Sequence, residues 1–204
     1  MAHSHVPADY PTIGAALAAH GTPADAPIVV DVAPGEYAIR ADALGYGPRG
    51  NDLGVGLRIP LSGQGGRGGT TAVHIRGTAG DAPPRLRGGV FVGAGATVIL
   101  ENLLLTNMRS HNLFGFGVFV EAGGSVTLKE CTIESCASIG VTCYGQATLR
   151  ACNIAHSQRS GIATHGQHAD LVMVDRCVVE KNAEAGVVVG GGRARLSELV
   201  CRQN

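Results

Sequence analysis

The chain has 204 residues, with 16 Lys+Arg against 16 Asp+Glu, 45% hydrophobic residues and only 16% charged ones. That length suits one domain with a sizeable core, and the apolar content excludes a disordered chain. Zero net charge gives no long-range pull toward phosphate polymers, so nucleic acid is not an expected partner. No apolar run approaches the ~20 residues of a membrane span, so neither is a bilayer.

Along the chain, the opening Met1-Ala2-His3-Ser4-His5-Val6-Pro7 lacks the basic-then-apolar layout of a signal peptide, so a cytoplasmic protein is expected. A short helix is predicted over about residues 10–21. Thr12 is its N-cap, Ile13, Ala16 and Leu17 form one apolar face, and Gly21 is its stop. Residues 45–69 are Gly-rich and broken by Pro48 and Pro60. They read as a loop excursion and a candidate groove wall. All six cysteines fall in the last 74 residues and form no CxxC pair, so they read as reduced, buried small hydrophobes. Of the basic residues only Lys129 and Lys181 are lysines; with the Ala and Gly richness, that bias suggests a GC-rich bacterial genome.

Residues 97–204 align with themselves. Val126-Thr127-Leu128-Lys129-Glu130-Cys131-Thr132-Ile133 matches the segments starting at Val98, Ala147 and Val172, and Leu196 begins another copy. The register positions Leu103, Cys131, Cys152, Cys177 and Leu199 are 28, 21, 25 and 22 residues apart. A second landmark keeps step: Gly117-Val118, Gly140-Val141, Gly161-Ile162 and Gly186-Val187. Apolar residues alternate over three to five positions within each copy, which is the period of strands. Strands with Gly and polar corners, repeating at this length, predict an all-β parallel solenoid with coils of about 21–28 residues, residues 1–204 forming one domain. Cys131, Cys152 and Cys177 should then form one inward column and Ile133, Ile154 and Val179 another. The landmark glycines should sit at tight turns. The last coil is incomplete and carries no capping helix. This predicts docking of the C-terminal end on a second copy (a homo-oligomer) or its continuation into a longer chain.

The segments Tyr10-Pro11-Thr12-Ile13-Gly14-Ala15-Ala16-Leu17 and Ile28-Val29-Val30-Asp31-Val32-Ala33-Pro34-Gly35-Glu36-Tyr37, with the repeat that follows, resemble pectate-lyase-like right-handed parallel β-helix proteins. The resemblance implies a single-stranded right-handed β-helix whose N-terminal helix caps the first coil. It covers about residues 10–204 and does not choose among the lyases, hydrolases, esterases, epimerases and noncatalytic modules of that superfamily. The paired Asp with Gly-His-Gly of polygalacturonases, the Asp-Pro-His-Glu of alginate epimerases, the Asp and Gln set of pectin methylesterases and the acidic calcium cluster of pectate lyases are not found.

Two outward clusters carry candidate chemistry. Glu101, Lys129, Arg150 and Asp175 occupy one repeat position. The resemblance implies a lyase-type role: Lys129 as the base removing a proton α to a uronate carboxylate, Arg150 as anion clamp, and Glu101 and Asp175 as substrate contacts. The competing reading is a ladder of opposite charges pairing between coils. In the second cluster, His165-Gly166-Gln167-His168-Ala169-Asp170 lies on a corner. His165 is a candidate acid/base, and His165, His168 and Asp170 are candidate ligands for a divalent metal. Against this stands a plain polar corner. Glu121 and Tyr144 precede His165 in register, so Tyr144, with Arg159 nearby, is a candidate substrate contact. Arg109 and His111 belong to the longest coil, and Phe114, Phe116 and Phe119 read as an internal stack or a sugar platform. No phosphate-binding Gly-x-x-x-x-Gly-Lys-Ser/Thr loop occurs, so no nucleotide cofactor is expected. Three functions follow: a lyase or isomerase acting on a sugar acid or other polar substrate, a noncatalytic recognition or scaffold module, or a β-helix recruited to small-molecule cyclisation or isomerisation.

Overall fold

A computed structural model describes residues 2–20, 27–39, 56–59, 71–108, 115–173 and 176–204. The chain opens with strand β1 (Ala2–Val6) and helix α1 (Ile13–His20). Coils of three strands follow: β2 (Ile28–Val32), β3 (Glu36–Ala38) and β4 (Gly56–Ile59), then β5 (Thr71–Gly77), β6 (Arg85–Arg87) and β7 (Gly89–Val92). Next come β8 (Ala96–Glu101), β9 (Leu104–Thr106) and β10 (Val118–Val120), then β11 (Ser125–Lys129), β12 (Thr132–Glu134) and β13 (Val141–Cys143). The last coils hold β14 (Gln146–Arg150), β15 (Asn153–Ala155) and β16 (Ile162–Thr164), β17 (Asp170–Met173), β18 (Cys177–Glu180) and β19 (Val187–Val189), and finally β20 (Arg193–Leu196) and β21 (Leu199–Arg202).

Equivalent strands of successive coils pair in parallel, giving sheets of eight, six and seven strands: β1-β2-β5-β8-β11-β14-β17-β20, β4-β7-β10-β13-β16-β19, and β3-β6-β9-β12-β15-β18-β21. The expected solenoid is therefore the observed one. Inside it, Cys131, Cys152 and Cys177 are buried in one column, bracketed by Leu103 and Leu199, and Leu105, Ile133, Ile154 and Val179 form the next. All six cysteines are free, and burial in this apolar column pushes the Cys131 thiol up to about 12.

The N-terminal cap forms as the sequence indicates. Thr12 Oγ1 accepts the Ala15 N–H at 3.1 Å, and Ile13, Ala16 and Leu17 are buried. Two strands escape the sequence reading. Strand β1, ahead of the helix, pairs with β2. Within the stretch read as a loop, Gly56–Ile59 is strand β4, which pairs with β7 and buries Leu57 and Ile59; the other residues of 45–69 lie outside the described residues.

The corners follow rules of backbone rather than of side chain. Asn102, Glu130, Ala151, Arg176 and Glu198 stand at the corner between the eight- and seven-stranded sheets, all with φ near +50°. Ser135, His156, Lys181 and Gln203 do the same at the next corner. The left-handed conformation costs a non-glycine residue roughly 1 kcal/mol, and here the ladders on both sides impose it. The landmark glycines, by contrast, have no positive φ. Their requirement is space: a Cβ on Gly161 would stand 2.5 Å from Val179 Cγ1 and 2.8 Å from Gly186 O. Behind them runs a polar inner column. Asn182 Oδ1 accepts the Ser157 N–H at 3.0 Å, and Asn182 Nδ2 donates to Asn204 Oδ1 at 2.9 Å.

Candidate functional site

Alternation along each strand sends every second side chain outward, and parallel register lines these up across coils. On the eight-stranded sheet the outward column is His5, Asp31, Arg76, Glu101, Lys129 and Arg150. Its members answer one another. Arg76 grips Asp31 through Nε on Oδ1 and through Nη2 at 3.3 Å from Oδ2, and His3 Nε2 lies 2.6 Å from that same Oδ2. Glu101 takes His74 Nε2 at 3.0 Å and faces Lys129 Nζ at 3.9 Å. The Arg76 guanidinium, with His3, holds the Asp31 carboxyl below its ordinary range against the opposing pull of burial. Glu101, Lys129 and Arg150 thus lie together as the sequence indicates, in a ladder of charges.

The strand ahead of the fourth member, β17, is offset from the repeat. Aligning on Cys152 and Cys177 sets Asp175 opposite Arg150. The strand register instead pairs Ala147 with Leu171 and Leu149 with Met173, one residue out from that alignment. One additional residue falls between Met173 and Cys177, and Asp175 itself lies outside the described residues.

On the six-stranded sheet aromatic rings gather on the outer face. Phe91 and Phe119 stack with centroids 4.5 Å apart, Phe119 meets Tyr144 at 5.6 Å, and Tyr144 stacks on His165 at 5.1 Å. Phe116 leans on Phe119 at 5.3 Å. These rings are on the outside, so Phe116 and Phe119 are not an internal stack; Arg109, His111 and Phe114 lie outside the described residues. Thr142 and Ala163 also point outward, yet both are 2% exposed. The backbone bonds Tyr144 N to Val120 O, His165 N to Cys143 O and Gly190 N to Thr164 O place Glu121, Tyr144, His165 and Gly190 at one position of successive coils. The Glu121–Tyr144–His165 face expected from the repeat is present.

Gly190 ends this ladder. A Cβ there would stand 3.0 Å from Thr164 O and 3.5 Å from His165 Nδ1, so glycine sets no side chain against the imidazole. Val188, two residues earlier on β19, is 36% exposed beside it. The ring planes of Phe91 and Phe119 are 12° apart and those of Tyr144 and His165 26° apart. Inner rings therefore cover one another, and the last rung keeps a face for something else.

The remaining candidates are dispersed. Arg159 sits at another corner, its Nε 3.0 Å from Glu184 Oε1. Lys129 and Arg150 close their strands at the corner opposite to the one His165 leads into, so the two alternative bases, Lys129 and His165, occupy separate faces. His168 is exposed on the turn, and Asp170 heads β17 with its Oδ1 buried and unpartnered. Among the described residues, the trio of His, Cys, Asp or Glu whose ligand atoms converge is His3, His5 and Asp31, not His165, His168 and Asp170. Sequence reasoning missed Phe91, Gly190 and this trio. A His-x-His spacing at strand period, facing an acid on the next strand, was the available signal for the last.

A family model for the right handed beta helix region matches residues 69–204. The chain belongs to the right-handed β-helix family. Neither a curated protein nor a solved structure matches it. No helix among the described residues is long and apolar enough to cross a membrane.

Proposed function

We propose that this β-helix protein is a noncatalytic recognition module for a saccharide, whose ring occupies the vacant rung beyond His165. The observation that carries the reading is the outer aromatic ladder Phe91–Phe119–Tyr144–His165, which stops at a glycine. A sugar ring offers an apolar face to an aromatic one and hydroxyls to its rim. Here the imidazole face and Val188 supply the first contact, while the exposed His168 and the Gly190-Gly191-Gly192 backbone supply polar groups nearby.

Titration calorimetry against a panel of neutral and uronate oligosaccharides tests this. Binding should weaken at least tenfold in His165→Ala and should be blocked in Gly190→Leu, whose side chain fills the rung. A panel without a ligand, or equal affinity in both variants, rejects it. A lyase reading has one observation in its favour, the pairing of Lys129 with Arg150 across β11 and β14. Lys129→Ala separates the two readings: recognition leaves saccharide binding unchanged, whereas a lyase would turn over uronates and lose that turnover in the variant.

A further inference from the structure

The other end of the charge ladder carries a site of different chemistry. His3 and His5 are two residues apart on β1, so both imidazoles project from one face, and β1 pairs with β2 so that His5 lies opposite Asp31. His3 Nε2 and His5 Nδ1 stand 2.6 and 3.7 Å from Asp31 Oδ2, and each of the three residues offers a ligand atom within 4.8 Å of those of the other two. A tetrahedral ion with bonds of about 2.0 Å holds its ligands about 3.3 Å apart, a spacing that these two distances bracket. From the trio we infer a binding site for a zinc-class divalent metal, made by His3 Nε2, His5 Nδ1 and Asp31 Oδ2.

Three features of the surroundings favour the assignment. Asp31 is nearly buried, and Arg76 holds its Oδ1, fixing the carboxylate so that Oδ2 faces the imidazoles; supports of this kind orient metal ligands. The histidine side chains are about half exposed, at 46% and 53%, so an ion reaches them without opening the core, and the solvent side remains for water as a fourth ligand. Two imidazoles and one carboxylate also select zinc-class ions over calcium and magnesium, which prefer all-oxygen shells. The positive charge of Arg76 and its Nη2 contact with Oδ2 oppose the ion, so the affinity should be moderate rather than structural-zinc tight. His74 belongs to Glu101 and is not a ligand. Because two donors come from β1 and one from β2, the ion would fasten the first strand to the stack.

The experiment is titration calorimetry of the untagged full chain with Zn2+ alone and with Ca2+ alone, alongside thermal unfolding in each ion and in EDTA. One equivalent of Zn2+ should bind, Tm should rise with Zn2+ and return on EDTA, and Ca2+ should do neither. His3→Gln and His5→Gln should each lower Zn2+ affinity at least tenfold. Both side chains are half exposed, so the variants keep the fold, which circular dichroism verifies. His168→Gln should bind as the parent does. No Zn2+ uptake, a preference for Ca2+, or uptake unchanged in the His3→Gln/His5→Gln double variant overturns the assignment.

Discussion

The outer faces of the eight- and six-stranded sheets are built on the same coil spacing from opposite chemistries. On the first, Asp31, Arg76, Glu101 and Lys129 alternate in sign, and opposite charges face one another from coil to coil until Arg150 follows Lys129. On the second, Phe91, Phe119, Tyr144 and His165 repeat like with like, and each ring covers its neighbour. Where its signs alternate, a charge ladder is satisfied and leaves little for a ligand to gain; the inferred metal site lies at its first rungs, His5 and Asp31. An aromatic ladder always has an end, and this one ends on an imidazole above a glycine. Repetition alone does not make a site in a solenoid; a place where the repetition stops can.

Substitutions in the two ladders should separate them. Phe119→Ala removes a ring stacked on one neighbour and in contact with two more, and uncovers part of the sheet. A loss of about 2 kcal/mol in urea unfolding is expected, and a loss below about 0.5 would mean that the rings are ornament.

Asp31 is the deepest charge of the other ladder, and its effect should depend on pH. Its folded-state value is lowered from 3.8, so the stabilisation is complete above about pH 4 and fades as pH falls through the lowered value. In EDTA, Asp31→Asn should cost about 1–2 kcal/mol near neutrality and almost nothing at the acid limit, giving a flatter Tm-against-pH curve than the parent. A constant offset at all pH values would show that the ion pair contributes nothing specific. Lys129→Ala should be the mildest change, within about 0.5 kcal/mol, because its 3.9 Å pair with Glu101 is solvent-exposed on both sides. A larger loss would make the charge ladder a cooperative network.

The repeat was legible because inward positions carry a strict demand. Leu103, Cys131, Cys152, Cys177 and Leu199 must be apolar and similar in size to stack, and Gly117, Gly140, Gly161 and Gly186 must lack a Cβ to clear the next coil. Outward positions carry no such demand. Glu101, Lys129 and Arg150 could be aligned through their inward neighbours, whereas a one-residue slip before Cys177 offsets β17 from that alignment. Strand β4 was obscured by its Gly-rich surroundings, and β1 by the brevity of its alternation before Pro7.

The sequence by itself determined the parallel solenoid, the cysteine and isoleucine columns and the Thr12-capped helix, because periodicity and burial write themselves into residue type. Tertiary structure alone decided which outward residues meet. It divided Lys129 and His165 between faces, set Phe119 against Tyr144, and brought His3 and His5 against Asp31 across 28 and 26 residues of chain. It also bent Asn102, Glu130, Ala151, Arg176 and Glu198 through one left-handed corner, although these side chains have nothing in common. The physical reason is the same in each case: parallel hydrogen bonding between coils fixes the backbone, and the surface side chains go where the backbone puts them.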